Sequence, residues 1–148
     1  MLSGRLILIN ADVRDYLRNH QNPVLIQNRV LVANKVVANI PYYLTGQLLR
    51  MIFESKNVPE LTVLMLQKEV ARRIMSDTRY PTTIKDRKMS VLAISVRVFA
   101  EPKIAFNVSR GNFYPKPKVD SAVIVLKKRE KDFFREHKIS QKIFFELI

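Results

Sequence analysis

Short β-branched apolar runs alternate with segments of helical spacing along this chain, and that alternation restricts the folds open to it. Arg5-Leu6-Ile7-Leu8-Ile9 reads as a buried strand that ends at Asn10-Ala11-Asp12. Residues 15–29 are polar, contain Pro23, and read as loop or irregular helix. Residues 30–38 form a second strand region, closed by Pro41, and residues 61–66 a third. Between these two, Thr45 is placed to cap a helix over residues 46–55, with Leu44, Leu48, Met51 and Ile52 on one face. A helix over 67–76 turns Val70, Ala71 and Ile74 inward, a polar loop surrounds Pro81 at 77–86, and a helix follows over 88–98. Residues 103–108 and 121–126 are the last two strands, joined by a Gly/Pro loop at 109–118. The pattern predicts an α/β sheet, mostly parallel, whose last two strands pair antiparallel because no helix separates them. A basic run at 127–131 then leads into a helix from about Asp132. In such sheets ligands sit at the carboxyl ends of the strands. Asp12, Asn39 and the region of Gln67 all fall at that edge.

At the end of the second strand stands Asn39-Ile40-Pro41-Tyr42. Methylation of an exocyclic amine on a base calls for such a group. The amine lone pair is delocalised into the ring and must be localised before it attacks. An Asn side-chain oxygen and a neighbouring backbone carbonyl do this by accepting the two amine hydrogens. Pro41 fixes its own φ and pushes Ile40 toward an extended backbone, which aims the Ile40 carbonyl outward beside Asn39. Tyr42 offers a flat face on which a base stacks. The same residues also suit a strand ending in a proline turn with Tyr42 packed on the core.

Charge narrows the partners. Lys and Arg total 26 against 13 Asp and Glu, a formal net charge of +13. This excess suits a polyanion, nucleic acid first and an anionic membrane surface second. No apolar stretch approaches the ~20 residues of a membrane span. Cysteine is absent, and His20 and His137 lie far apart with no ligand pattern around them, so no metal site is expected. Nothing at the N-terminus resembles a signal peptide, so a cytoplasmic location is the default. The three glycines, Gly4, Gly46 and Gly111, are too scattered for a G-x-G nucleotide loop.

Three further segments join the Asn-Ile-Pro-Tyr group. They are Asn10-Ala11-Asp12, Leu66-Gln67-Lys68-Glu69-Val70-Ala71, and the run Phe113-Tyr114-Pro115-Lys116-Pro117-Lys118-Val119-Asp120-Ser121-Ala122-Val123. In this order and spacing, over residues 6–126, the chain resembles the small-subunit ribosomal RNA adenine N6,N6-dimethyltransferases. The large-subunit methyltransferases that confer macrolide resistance share the Asn-Ile-Pro-Tyr core but match the other segments less well. The resemblance implies a Rossmann-like class I methyltransferase sheet with S-adenosylmethionine as cofactor. The implied reaction is methyl transfer to N6 of adjacent adenines in small-subunit ribosomal RNA, on a precursor of the small ribosomal subunit. By the same resemblance Asp12 contacts the cofactor adenine, and Asn39 accepts from the target amine beside the cofactor. Ile40 and Pro41 complete the catalytic group. Tyr42 stacks on the flipped base, Phe113 contacts its other face or edge, and Lys116 and Lys118 suit RNA phosphates. The bland alternatives are a turn-capping Asp12, a Phe113 that anchors its loop to the core, and solvated lysines.

The family pattern also implies a Gly-rich cofactor loop before the first strand, an acidic ribose contact, and a helical C-terminal domain. None of these is found in the sequence. The expectation is therefore a partial methyltransferase domain over residues 1–130, lacking its N-terminal part, with residues 131–148 opening a helical segment. Apolar strand faces are expected to be exposed, and the chain alone is expected to bind the cofactor poorly and not to turn over. The competing reading is a non-catalytic RNA-binding or ribosome-assembly module derived from such an enzyme.

Overall fold

The computed structural model of the chain describes residues 10–19, 24–26, 29–31, 34–55, 57–75 and 91–147. Along these run α1 (Val13–Asn19), β1 (Val24–Ile26), β2 (Arg29–Leu31), β3 (Lys35–Asn39), α2 (Thr45–Phe53), β4 (Leu61–Gln67) and α3 (Lys68–Met75). They continue with α4 (Val91–Arg97), β5 (Ala100–Val108), β6 (Ser121–Lys128), α5 (Phe133–Glu136) and α6 (Gln141–Leu147). The strand expected at 5–9, the loop at 77–86 and the first residues of the helix expected at 88–98 lie outside the described residues.

Four strands form the main sheet, in the order β3-β4-β6-β5. β3 runs parallel to β4, and β6 runs antiparallel to both β4 and β5. Three strands therefore point one way and β6 alone is reversed. The expected α/β sheet with a reversed final strand is observed, but it is mixed: of the three pairings among its described strands only β3–β4 is parallel, because the reversed strand lies inside the sheet rather than at its edge. Composition explains that placement. β6 opens with Ser-Ala-Val-Ile-Val-Leu, apolar on both faces and suited to an interior position. β5 carries Glu101, Pro102 and Lys103 and bulges between Ile104 and Phe106. Among the described strands it is an edge, where proline removes no needed ladder bond and charge discourages further pairing.

Alternation divides the sheet into two faces. On one, Leu64, Leu66, Ala122, Ile124 and Leu126 are buried, with Val36, Ala38 and Ile104 packed against them. The same cluster takes in Leu48, Leu49 and Ile52 of α2, Ala71 and Ile74 of α3, and Val96 of α4. On the other face Val37 is 79% and Phe106 58% exposed, as expected for an apolar strand surface left uncovered. The buried face holds one polar misfit. Thr62 is fully buried between Val36 and Leu126, and its Oγ1 has no hydrogen-bond partner among the described residues.

One local expectation is sharpened and two are corrected. Residues 15–19, read as loop or irregular helix, belong to a helix, α1, that begins at Val13, because Asp12 caps the turn and Tyr16 N–H donates to the Asp12 carbonyl at 2.9 Å. Thr45 is not a cap. A 3-10 turn over Tyr42–Leu44 runs directly into α2, Leu44 N–H donates to the Pro41 carbonyl at 2.9 Å, and Thr45 Oγ1 donates back to the Tyr42 carbonyl at 3.2 Å. The apolar run at 30–38 is split. β2 pairs with β1 in a separate two-stranded ribbon, and only β3 joins the main sheet.

The C-terminal helices are held by aromatic rings. Phe99 stacks on Phe53 at 5.6 Å between centroids and also meets Phe134 at 5.6 Å and Phe145 at 6.1 Å. Asp132 caps α5, accepting from the N–H groups of Phe134 and Arg135. Lys138, with φ 54°, lies between the two helices in the left-handed region.

This packing sets two expectations for stability. Thr62→Val removes an unpaired buried hydroxyl at nearly constant volume, so chemical denaturation is expected to show a gain of about 1 kcal/mol. Phe99→Ala removes the ring that α5 and α6 share with Phe53. It is expected to cost about 3 kcal/mol and to make amide protons of residues 133–147 exchange faster than those of β4.

Candidate functional site

The site is built where β3 ends. Asn39 lies opposite Met65 in the β3–β4 register, and Ile40 N–H donates to the Met65 carbonyl at 3.2 Å. Ile40 is only 2% exposed, so its side chain is locked in the core beneath the turn. Pro41, at φ -55° and ψ 131°, then directs the chain into the 3-10 turn. This leaves two acceptors on consecutive residues at the strand end. The exposed Asn39 side chain and the Ile40 carbonyl make no hydrogen bond among the described residues. Both are held on a backbone fixed on one side by β4 and on the other by the turn.

Tyr42 is oriented from across the sheet. Its Oη lies 3.2 Å from Oγ of Ser121, the buried first residue of β6, while 38% of the residue stays exposed. A ring held by its hydroxyl with its body partly open is suited to stacking. Of the two readings of Tyr42, a core-packed turn residue and a stacking platform, this geometry favours the second. Nothing local in the sequence singles out Ser121. Its only signal is its place in the Asp120-Ser121 pair of the Phe113-to-Val123 run.

The loop between β5 and β6 brings the remaining candidates to the same end of the sheet. Asp120 organises it. Its carboxylate accepts Arg110 N–H at 3.1 Å and lies 3.8 Å from Lys68 Nζ, and its carbonyl accepts the Lys68 N–H at 3.0 Å. Arg110 Nη1 donates to the Lys118 carbonyl at 3.2 Å, and Ser109 caps the short turn that follows by accepting Gly111 N–H. Phe113 is half-buried on this loop, between its two readings. Lys116 and Lys118 are exposed. Tyr114 is fully exposed, and Tyr43, next to Tyr42, is 83% exposed. Sequence alone does not distinguish these two tyrosines, because an aromatic residue there reads equally well as core.

Asp12 sits apart from this group, before α1, which packs on α2. It caps Arg14 N–H at 2.8 Å through Oδ1 and holds the Arg14 guanidinium with Nε at 3.0 Å and Nη2 at 2.6 Å. The bond and charge of Asp12 push the Arg14 pKa up from its ordinary value. The Asp12 side chain remains 38% exposed, and a carboxylate oxygen accepts more than one hydrogen bond. Among its described contacts Asp12 acts as the cap and ion-pair partner of the first turn of α1.

Known proteins resemble this chain in sequence and in fold. The family model for ribosomal RNA adenine dimethylase matches residues 7–145. The ribosomal RNA small subunit methyltransferase A of Mycoplasmopsis pulmonis is 43% identical over 133 residues, covering 88% of this chain and 46% of that protein. The protein of the same name from Dehalococcoides mccartyi is 39% identical over 117 residues, covering 79% of this chain and 35% of that protein. The chain therefore spans about a third to a half of the length of these relatives. Among solved structures, a dimethyladenosine transferase from Plasmodium falciparum superposes with a TM-score of 0.61 at 30% identity, over 74% of this chain and 38% of that one. The 23S rRNA methyltransferase ErmE gives a TM-score of 0.52 at 27% identity, over 67% of this chain and 37% of that one. With its family model matched over most of its length, the chain belongs to the ribosomal RNA adenine dimethylase family.

Proposed function

We propose that this chain carries the target-base half of an enzyme that transfers methyl groups from S-adenosylmethionine to N6 of adjacent adenines in small-subunit ribosomal RNA. Its partner in this reading is a precursor of the small ribosomal subunit, in the cytoplasm. Residues 1–130 form the methyltransferase part and residues 131–148 open a helical segment. The observation that supports this reading most strongly is the pair of acceptors, the Asn39 side chain and the Ile40 carbonyl, beside a tyrosine ring held by Ser121.

When bound, the cofactor supplies an electrophilic methyl group on a sulfonium. The protein's own residues align and polarise the nucleophile. Asn39 Oδ1 and the Ile40 carbonyl each accept one hydrogen of the adenine N6 amine. Holding both N–H bonds draws the nitrogen toward a pyramidal geometry, which takes its lone pair out of the ring's conjugation and points it at the incoming carbon. Pro41 keeps the Ile40 carbonyl in place as charge develops. Tyr42 stacks on the base once it leaves the RNA helix, and Phe113 closes on its other side. Lys116 and Lys118 neutralise nearby phosphates. Asp12 accepts a hydrogen bond from the adenine of the cofactor. The amine loses its extra proton to solvent after transfer.

The net charge of +13, which suits RNA binding without implying turnover, supports one second reading, an RNA-binding or ribosome-assembly module. Asn39→Ala, introduced into the protein as the cell makes it, separates the two. Radiolabelled methyl transfer into under-methylated small subunits is expected to fall by about 100-fold, while RNA affinity changes little. Wild-type transfer by the variant would remove the amine-acceptor role. RNA binding by the unsubstituted protein with no transfer at all would establish the module instead.

Tyr42 is tested by a pair of variants. Tyr42→Ala is expected to weaken binding of an RNA with 2-aminopurine at the target adenine by about 1–3 kcal/mol. Tyr42→Phe keeps the stacking face and loses only the bond to Ser121, so it is expected to retain most of that affinity and to lower stability by about 1 kcal/mol. Equal loss of 2-aminopurine binding in both variants would contradict the stacking role.

A further inference from the structure

A groove of about 470 Å³ runs between α3 and the loop that joins β5 to β6. Lys68, Arg72, Arg110 and Lys118 line it, with Glu69 and Asp120. The two carboxylates are already engaged. Glu69 accepts Arg73 at 3.1 Å along its own helix, and Asp120 is held by Arg110 N–H and lies near Lys68 Nζ. By contrast, the Arg72 guanidinium and the Lys118 ammonium make no ion pair among the described residues. Arg110 is fixed over the groove by its bond to the Lys118 carbonyl. The acidic residues thus hold the walls together, and two cations are left for a ligand.

Position says which anion this is. Asp120, which organises the groove, directly precedes Ser121, which holds the Tyr42 hydroxyl at 3.2 Å. Residues adjacent in sequence thus organise the groove and anchor the Tyr42 ring, which puts the groove at the same end of the sheet as the stacking face. Two exposed aromatic residues at the same end, Tyr43 and Tyr114, offer ring faces to unstacked neighbours.

We propose that the groove formed by Lys68, Arg72, Arg110 and Lys118 binds the RNA backbone phosphate next to the extruded adenine. This rests on the base-site reading of Tyr42, and it assigns Arg72 and Arg110, which stand outside the sequence motifs, to RNA positioning. Extruding a base rotates its nucleotide about the backbone and costs stacking and pairing energy. A cationic groove beside the base pocket holds the backbone in the extruded geometry and sets which nucleotide enters. Phosphate contacts of this kind fix register without reading sequence.

The test is titration of the 148-residue chain with a fluorescent RNA hairpin carrying 2-aminopurine in its single-stranded loop, over a range of salt. The double variant Arg72→Ala/Lys118→Ala is expected to bind about tenfold more weakly, with a log–log salt slope shallower by about 0.7 for each phosphate no longer neutralised. Lys138→Ala/Lys142→Ala removes the same charge at the C-terminal helices and is expected to leave the slope unchanged. The proposal is overturned if the groove variant binds with the wild-type slope, or if both double variants lose affinity equally. It is also overturned if a poly-glutamate peptide competes at the groove better than RNA of equal charge, which would assign it to an acidic protein partner. Failure of the base-site reading looks different. Tyr42→Ala would then leave the 2-aminopurine signal unchanged while the groove variant still flattened the salt slope.

Discussion

Strand β6 pairs with β4 on one side and β5 on the other over nearly its whole length, and the rest of the main sheet and its helices are arranged around that double pairing. Ala122, Ile124 and Leu126 face the same way as Leu64 and Leu66 and give α3 and α4 a continuous apolar floor. Because β6 runs against its neighbours, its first residue lies at the carboxyl ends of β4 and β5. Ser121 therefore stands opposite Gln67, at the end where β3 delivers Asn39. Had β6 been parallel, Ser121 would lie at the far end of the sheet and Tyr42 would have no anchor. The reversed strand thus couples the core to the site through a single register.

The loop before β6 extends the same logic. Asp120 ties the start of β6 to the start of α3 through its carbonyl and its carboxylate. Lys68, Arg72, Arg110 and Lys118 are consequently gathered around one groove, although they lie on two separate stretches of sequence. Part of the net charge of +13 is in this way focused at one place by backbone geometry.

Much of this is legible in the sequence, for identifiable reasons. β4 and β6 are apolar on both faces and read as buried strands from composition alone. The absence of a helix between the last two strands dictates their antiparallel pairing. Asn39 can be placed at a strand end because Pro41 cannot continue a ladder. What is not legible depends on contacts between distant residues. The split between β2 and β3 is invisible in an apolar run, since β2 leaves the main sheet to pair with β1. Thr45 has the right chemistry for a cap, but the 3-10 turn before it already satisfies the helix start. The Tyr42–Ser121 bond joins residues 79 positions apart, and no local pattern announces it. Arg72 and Arg110 resemble any surface arginine until α3 and the β5–β6 loop are set side by side.

The acidic residues complete the chemical argument. Asp12 holds Arg14, Asp120 holds Lys68 and the Arg110 amide, and Asp132 caps α5. Each is engaged in positioning its own segment. The proposed methyl transfer to an exocyclic nitrogen asks for no carboxylate base. The amine becomes acidic only after the new bond has formed, so its proton departs to water without a catalytic base. A carboxylate near the amine before transfer would instead compete with Asn39 and Ile40 for its hydrogens. What the proposed reaction needs early is alignment, and the Asn39 side chain and the Ile40 carbonyl, two neutral acceptors at a strand end, would supply it.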